Sequence, residues 1–564
     1  MIVPRRASLQ IPRNGESTTL APAPFPVKSD ENRDFWYKSG ENAIRQRKNQ
    51  PRRPKKAKNV ILFVGDGMGV STITAARILE GQMRGLSGEE NALSFENLPY
   101  SALSKTYSAN QQTSDSAPTM TAMVSGVKTK DGILSIDKNV IRGDYKTVAG
   151  NEVPTILELA EQKGLSTGVV STARLTHATP GACYAHSPDR DWESDSNLPK
   201  DAAEAKFPDI ARQLIEFQYG DGLEVAMGGG RPYFLPKETQ DPEYTDKTGN
   251  RSDNRNLTEE WTRKYKDSAY IWNKAQFDAI NPKTTKHLLG LFERSHLQYE
   301  HDRKNDKAGE PSLTEMTTKA IDILSDNKKG YFLMVEGGRV DHAHHEGNAY
   351  RALTDAVELS NAVRATLAKV NLNETLVIVT ADHSHTFTIS GYPTRGNNIL
   401  GLVRGNDQQG FADKTYDLDL LGLPYTTLGY ANGLGYTGAT ENLPEGGAKT
   451  YPPIAKNLRG IMNGRPDLFK SEVTNPNYLQ ESTVPLSAET HGGEDVAIFA
   501  DGPDSNLISG VMEQSWIFNV MTDALRLSPQ TLQPKIKNPN NTTAFYNPQK
   551  AELSPKGSRD DESD

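Results

Sequence analysis

A single cysteine, Cys183, in a chain of 564 residues leaves nothing to pair with, so no intrachain disulfide can form and the redox character of the compartment leaves no mark. The thiol sits in Pro180-Gly-Ala-Cys-Tyr-Ala and reads as a small buried core residue. Long apolar runs are missing too: none approaches the roughly eighteen residues that a membrane span requires. An excess of one charge is also lacking, with Lys+Arg 64 against Asp+Glu 72 and a net charge of -8. So mild a balance favours neither nucleic acid nor an anionic membrane surface. No internal repeat is visible. No apolar h-region follows Arg5-Arg6, so no export signal is seen in this chain.

What the chain does hold is carboxylate and imidazole crowded together. The stretch Glu336-Gly-Gly-Arg-Val-Asp341-His342-Ala-His344-His345-Glu346-Gly347 carries three of each within twelve residues, directly after the apolar run Tyr331 to Val335. That run reads as a buried strand. A helix is expected to start at Asp341 and run through Ala349-Tyr-Arg-Ala-Leu-Thr-Asp-Ala-Val, which puts Asp341 and His345 on one helical face at metal-ligand spacing. A solvated helix start, where acidic residues are favourable without any metal, is the alternative.

The same pattern of a strand followed by polar chemistry recurs. Runs beginning at Asn59, Ser166, Leu223, Tyr331, Leu376 and Asp495 alternate with amphipathic helices. The expected fold is α/β: a large, mostly parallel sheet covered by helices on both faces, with two loop-rich insertions. Residues 1–30 read as a disordered leader and 31–57 as an arm and basic linker whose Phe35 and Trp36 must dock on the core or on a partner subunit. The catalytic core would comprise 58–230, 331–390 and 485–530, interrupted by insertions at 231–330 and 391–484 and followed by a disordered tail, 531–564.

Several groups stand at predicted strand or helix ends. Asp66 closes the run Asn59-Val-Ile-Leu-Phe-Val-Gly-Asp, at the sheet edge where open α/β folds bind ligands, although an Asp N-cap is the plainer reading. Asp115 and Ser116 open a helix, where free N–H groups lower the cost of an alkoxide; an ordinary helix cap is again the alternative. His177 and Thr179, Asp382-His383 and His491 also adjoin strands. Mixed carboxylate and imidazole without thiolate suits Zn²⁺ at the His-rich part and Mg²⁺ at the all-oxygen part.

The strings VGDGMGVSTITAARIL, TSDSAPTMTA, STARLTHATPGACYAHSPDRDWESD, FLMVEGGRVDHAHHEGNA, TADHSHTFTISGYP and ETHGGEDVAIFADGP closely resemble alkaline phosphatases, in that family's order and spacing. The resemblance spans about Asp34 to Leu527. It implies a homodimeric metalloenzyme that hydrolyses many small phosphate monoesters through a phosphoserine, using two Zn²⁺ and one Mg²⁺ per subunit. Matched onto this chain, Ser116 would be the nucleophile and Arg190 the guanidinium gripping two phosphate oxygens. Asp341, His345 and His491 would hold the first zinc. Asp66, Asp382 and His383 would hold the second beside Ser116. Asp66, Thr179 and Glu336 would hold magnesium. His177 and His342 stand where animal members also have histidine and would tune the surroundings of magnesium and phosphate, with Asp115 beside them. His344 and Glu346 keep an ordinary structural reading.

Animal-type members also carry a calcium site in the first insertion, which maps here to Glu243, the Phe292 carbonyl, Glu293 and Glu310, the last replacing an aspartate. The missing cysteines and the missing lipid-anchor tail depart from the animal pattern. They point to an unanchored, periplasmic or extracellular enzyme. The stretch 391–484 corresponds to the family's crown but is longer. Alternatives with the same metal ligands are a phosphodiesterase or a sulfatase, and a catalytically silent metal-binding protein stands outside that class. Ser116, Arg190, Thr179 and Glu336 together favour the monoesterase.

Overall fold

In a computed structural model the described residues are 20–27, 31, 33–50, 53–419, 422–436, 449–450 and 465–528. Ten strands form one sheet: β1 (Asn59–Gly65), β2 (Tyr100–Lys105), β3 (Ser166–Arg174), β4 (Val225–Gly229), β5 (Ser268–Ile271), β6 (His287–Leu291), β7 (Tyr331–Gly337), β8 (Thr375–Ala381), β9 (Val496–Asp501) and β10 (Gly510–Glu513). Their order is β10-β2-β9-β8-β1-β7-β3-β4-β6-β5. Only β9 runs antiparallel to its neighbours β2 and β8; the other pairings are parallel.

The apolar run of β1 explains its place at the centre. Val60 to Val64 are completely buried, as a parallel strand covered on both faces requires. Strand alternation divides them. Val60, Leu62 and Val64 pack with residues of α3 (Ser116–Ser125), α4 (Ile156–Lys163) and a C-terminal helix, Trp516–Leu525. Ile61 and Phe63 face residues of α2 (Val70–Met83), α5 (Leu313–Leu324), α6 (Arg339–His345) and α7 (Ala349–Lys369). The expected architecture, helices on both faces of a mostly parallel sheet, is therefore the observed one. Cys183 is buried in the core, as its sequence context predicts.

Some boundaries differ from expectation. Residues 231–330 are no mere insertion, because they supply edge strand β5, its neighbour β6 and the core helix α5. These strands escape notice because they are four and five residues long and one contains a glycine. Strand β2 is missed for another reason: in Tyr-Ser-Ala-Leu-Ser-Lys only Ala102 and Ser104 are buried, so its apolar pattern is faint. The helix expected from Asp341 onward is broken in two. Gly347 takes a φ of +70° between α6 and α7, and the Asn348 side chain caps α7 by accepting the Arg351 N–H at 2.8 Å. Asp341 and His345 nevertheless share the short first piece.

Part of the leader is ordered against the second insertion: Ala21 N–H donates to the Lys414 carbonyl at 3.0 Å and Phe25 N–H to that of Gly396 at 2.8 Å. That insertion contributes Leu428–Gly433 and Ser482–Pro485 to a small sheet with Phe387–Ile389. Its positions 420–421, 437–448 and 451–464 lie outside the described residues, as do 1–19 and the 531–564 tail. The arm forms α1 (Arg33–Lys48), in which no residue is buried.

The topology puts chemistry at one edge. Gly65, the last residue of β1, is in register with Gly337 of β7 and Ala381 of β8. Asp66, Glu336 and Asp382 therefore emerge side by side at the carboxyl ends of three central strands.

Candidate active site

The turn after β1 can be built only with glycine at position 67. Its φ is +67°, and a Cβ there would lie 2.3 Å from Nε2 of His385. The Gly67 N–H donates to Asp382 Oδ1 at 3.0 Å, which ties the β1 turn to the end of β8.

Three groups of metal-ligating side chains meet at this edge. In the first, Asp341, His345, His385 and His491 each bring a ligand atom within 4.8 Å of the others. His345 Nδ1 faces the Glu489 carbonyl at 2.6 Å and His491 Nδ1 that of Ser114 at 2.7 Å. A carbonyl can only accept, so each ring, when neutral, carries its proton on Nδ1 and turns a bare Nε2 lone pair inward. Those Nε2 atoms lie 3.3 Å from Asp341 Oδ1. This is the tautomer a cation requires.

The second group joins Asp66, Asp341 and His383, so Asp341 is shared between the two. His383 Nε2 is 3.4 Å from Asp66 Oδ1, 3.2 Å from Asp382 Oδ2 and 3.2 Å from Ser116 Oγ. Burial keeps this imidazole neutral, with its titration pushed well below the ordinary histidine range.

The third gathers Asp66, His177 and Glu336. Both Asp66 carboxylate oxygens, Glu336 Oε1 and Thr179 Oγ1 are buried without a hydrogen-bond partner. Burial, then the neighbouring carboxylates of Asp382, Asp341 and Glu336, push the Asp66 pKa well up, and burial raises Glu336 to about 7. Carboxylates in such company stay ionised only beside a cation. The all-oxygen donors Asp66, Glu336 and Thr179 suit magnesium.

Ser116 is the first residue of α3 and is buried. The plain capping role for its neighbour is not realised, since the Asp115 side chain makes no cap hydrogen bond. It accepts instead from Arg190 Nη1 at 3.1 Å and from the Gly132 N–H at 3.3 Å. Arg190 Nη2 donates to His177 Nε2 at 2.9 Å. His177 therefore carries its proton on Nδ1, which is buried without a partner. The His342 ring lies 5.4 Å from that of His177. Burial, then the arginines nearby, holds both imidazoles well below the ordinary range.

Away from this edge, Glu243, Glu293 and Asp306 form a three-carboxylate group. Asp306 stands in this group beside the expected Glu243 and Glu293, and the carboxylates of Glu293 and Asp306 also act on Glu310. Asp306 follows a 3-10 turn at Arg303–Asn305, and Glu310 Oε1 accepts the Gln298 N–H at 2.9 Å. Glu310 Oε2 and Glu243 Oε1 are buried without partners. The Phe292 carbonyl accepts from Arg231 Nη1 at 3.2 Å, and Arg231 Nη2 donates to Glu243 at 2.7 Å. The oxygen-only set fits a hard cation such as calcium.

Two histidines absent from the sequence assignment belong to the site. His385 spans Asp341 Oδ1 at 2.9 Å and Glu489 Oε2 at 2.5 Å. Burial works against charging it, yet these two carboxylates raise it to about 10. Its position two residues past His383 is the only sequence signal. His296 packs on His342, with ring centroids 3.8 Å apart, and nothing in its local sequence announces this. His344 bonds Thr72 and Tyr430, at 3.0 and 2.8 Å, and Glu346 accepts from Tyr299 at 3.0 Å. Both are structural, as expected.

The alkaline phosphatase family model matches residues 57–527. An alkaline phosphatase from Gadus morhua is 42% identical over 509 residues, 89% of this chain and 98% of that protein. The human tissue-nonspecific isozyme is 44% identical over 474 residues, 83% of each chain. Among solved structures, the alkaline phosphatase of the Antarctic bacterium TAB5 superposes with a TM-score of 0.54 at 21% identity, covering 84% of this chain and 99% of the other. That of Thermus thermophilus gives 0.57 at 23% identity, covering 85% and 94%. The two structures support the fold, and the relatives carry the identity further: this chain belongs to the alkaline phosphatase family of phosphoric monoester hydrolases.

Proposed function

We propose that Ser116 is the nucleophile of this phosphomonoesterase and that Arg190 holds two oxygens of the phosphoryl group. Two zinc ions would be held by Asp341, His345 and His491 and by Asp66, Asp382 and His383, and magnesium by Asp66, Thr179 and Glu336. When bound, these ions supply positive charge at the attacking and leaving oxygens of an in-line displacement. The observation that carries the reading is the 3.2 Å contact of Ser116 Oγ with His383 Nε2. His383 Nδ1 faces the Ser384 carbonyl at 3.3 Å, so its Nε2 lone pair points toward Ser116 Oγ, and a cation held by His383 would lie beside the attacking hydroxyl. The amino end of α3 favours the developing alkoxide. Asp115 and His177 each take one N–H of the Arg190 fork, and its remaining N–H groups keep the bidentate geometry that suits phosphate.

Recognition centred on the phosphoryl group supports a broad range of small monoesters. A homodimer would cover α1, where Trp36, Tyr37 and Ile44 are 55%, 66% and 58% exposed. Calcium in the group around Glu243, Glu293 and Asp306 would brace the 231–330 segment. A periplasmic or extracellular location follows from the family resemblance. No helix among the described residues is long and apolar enough to cross a membrane.

The test compares p-nitrophenyl phosphate, bis(p-nitrophenyl) phosphate and p-nitrophenyl sulfate turnover on one preparation of known metal content. The monoester should be by far the fastest. Faster diester or sulfate cleavage would reassign the chemistry.

A further inference from the structure

We infer that Arg142 is a positioning residue for Arg190, an inference that rests on the reading of Arg190 as the phosphate grip. Arg142 lies on the loop between α3 and α4, 11 residues from Asp131 and 47 from Asp189, the two acids it joins. Its Nη1 donates to Asp131 Oδ2 at 2.9 Å, and its Nε and Nη2 donate to the two oxygens of Asp189 at 3.3 Å each. Each carboxylate stands next to a residue that fixes Arg190. Asp131 precedes Gly132, whose N–H donates to Asp115 and whose carbonyl accepts the Arg190 N–H at 2.7 Å. Asp189 directly precedes Arg190. The neighbouring Gly143 N–H donates to the Pro188 carbonyl at 3.0 Å, so the Arg142 loop is itself pinned to the same segment.

The result is a closed circuit: Arg142, Asp131, Gly132, Asp115, Arg190, Asp189 and back. One planar guanidinium clamps the two backbones that hold Arg190, a task suited to a rigid fork and not to a single ammonium. Gly132 shows how closely the parts fit. Its φ is +69°, and a Cβ there would stand 2.2 Å from Cζ of Arg142. A direct electrostatic role for Arg142 is disfavoured by its surroundings, because Asp191 joins the other two acids at 3.7 Å and the three carboxylates outweigh one guanidinium. Its side chain is 39% exposed, so its loss opens no core cavity.

Because Arg142 acts through Arg190, its removal should weaken phosphate binding and leave the reacting groups in place. The experiment measures KM and kcat for p-nitrophenyl phosphate, and Ki for inorganic phosphate, in the wild type, Arg142→Ala, Arg142→Lys, Arg190→Ala and the Arg142→Ala/Arg190→Ala double variant of the full metal-loaded chain. Arg142→Ala should raise KM and Ki roughly tenfold, with kcat within about threefold of wild type, as a small displacement of a substrate clamp predicts. Arg142→Lys should recover little of the loss. With Arg190 already gone, removing Arg142 should cost nothing more in Ki. A wild-type Ki in Arg142→Ala, or an equal loss in the Arg190→Ala background, would overturn the inference and leave the role of Arg190 intact. A wild-type Ki in Arg190→Ala would instead sink the phosphate grip, and Arg142 with it. If Arg142→Ala does not fold, Arg142→Lys and Asp131→Asn break the same circuit, and the same two outcomes decide.

Discussion

The Nε2 atoms of His345 and His491 lie 3.1 Å apart, and because both rings commit a proton to a backbone carbonyl through Nδ1, two neutral rings have nothing to donate across that gap. Two facing lone pairs repel unless a cation stands between them. His491→Ala should therefore lower zinc content by about one ion per chain and reduce kcat by roughly a hundredfold or more. Metal analysis of the purified variant checks the first part. Dialysis against EDTA should abolish wild-type turnover, and zinc with magnesium should restore it; turnover that survives chelation would contradict the metal assignments.

The calcium assignment can be resolved by residue. Calcium should raise the unfolding temperature of the wild type, and Asp306→Asn should remove that shift, because Asp306 completes the three-carboxylate group. Glu310→Gln should retain most of it. Scanning calorimetry with and without calcium reads the difference, and the reverse ranking would return the ligand role to Glu310.

Stability should fall in the alkaline range through His186. This ring is buried, with Nε2 on Glu158 at 2.8 Å and Nδ1 on the Ser135 carbonyl at 2.7 Å. Burial opposes its charge, yet Glu158 and the hydrogen bonds raise it to about 9. The folded value exceeds the unfolded one, so the contribution is complete below about 6.5 and fades as pH rises through about 9. The shift corresponds to roughly 3 kcal/mol at most. Thermal unfolding from pH 6 to 10 should show a decline that His186→Gln flattens. An equally steep decline in that variant would assign it to other groups.

The sheet's central strands are legible in sequence because each is a continuous apolar run closed by a polar residue. Asp66, Glu336 and Asp382 become visible for the same reason: they stand where apolar runs stop. Ser116 is marked by the helix start behind it. Arg190 follows no strand and offers no periodic cue, and only the family resemblance singles it out. Glu489 acts through the His385 ring rather than on a ligand, so spacing says little about it. Asp306 carries no sequence cue for its place beside Glu243 and Glu293. Short edge strands such as β5 fail for want of length, since their few residues are too brief to display alternation.

Covalent chemistry at Ser116 is the central claim, and Ser116→Ala tests it most directly. The variant should bind zinc and magnesium at wild-type stoichiometry, unfold at a similar temperature, and lose roughly a thousandfold or more of its p-nitrophenyl phosphate turnover. Wild-type enzyme quenched in acid during turnover should carry a phosphate on the peptide containing Ser116. Near-normal turnover by the fully metallated Ser116→Ala enzyme would contradict the account.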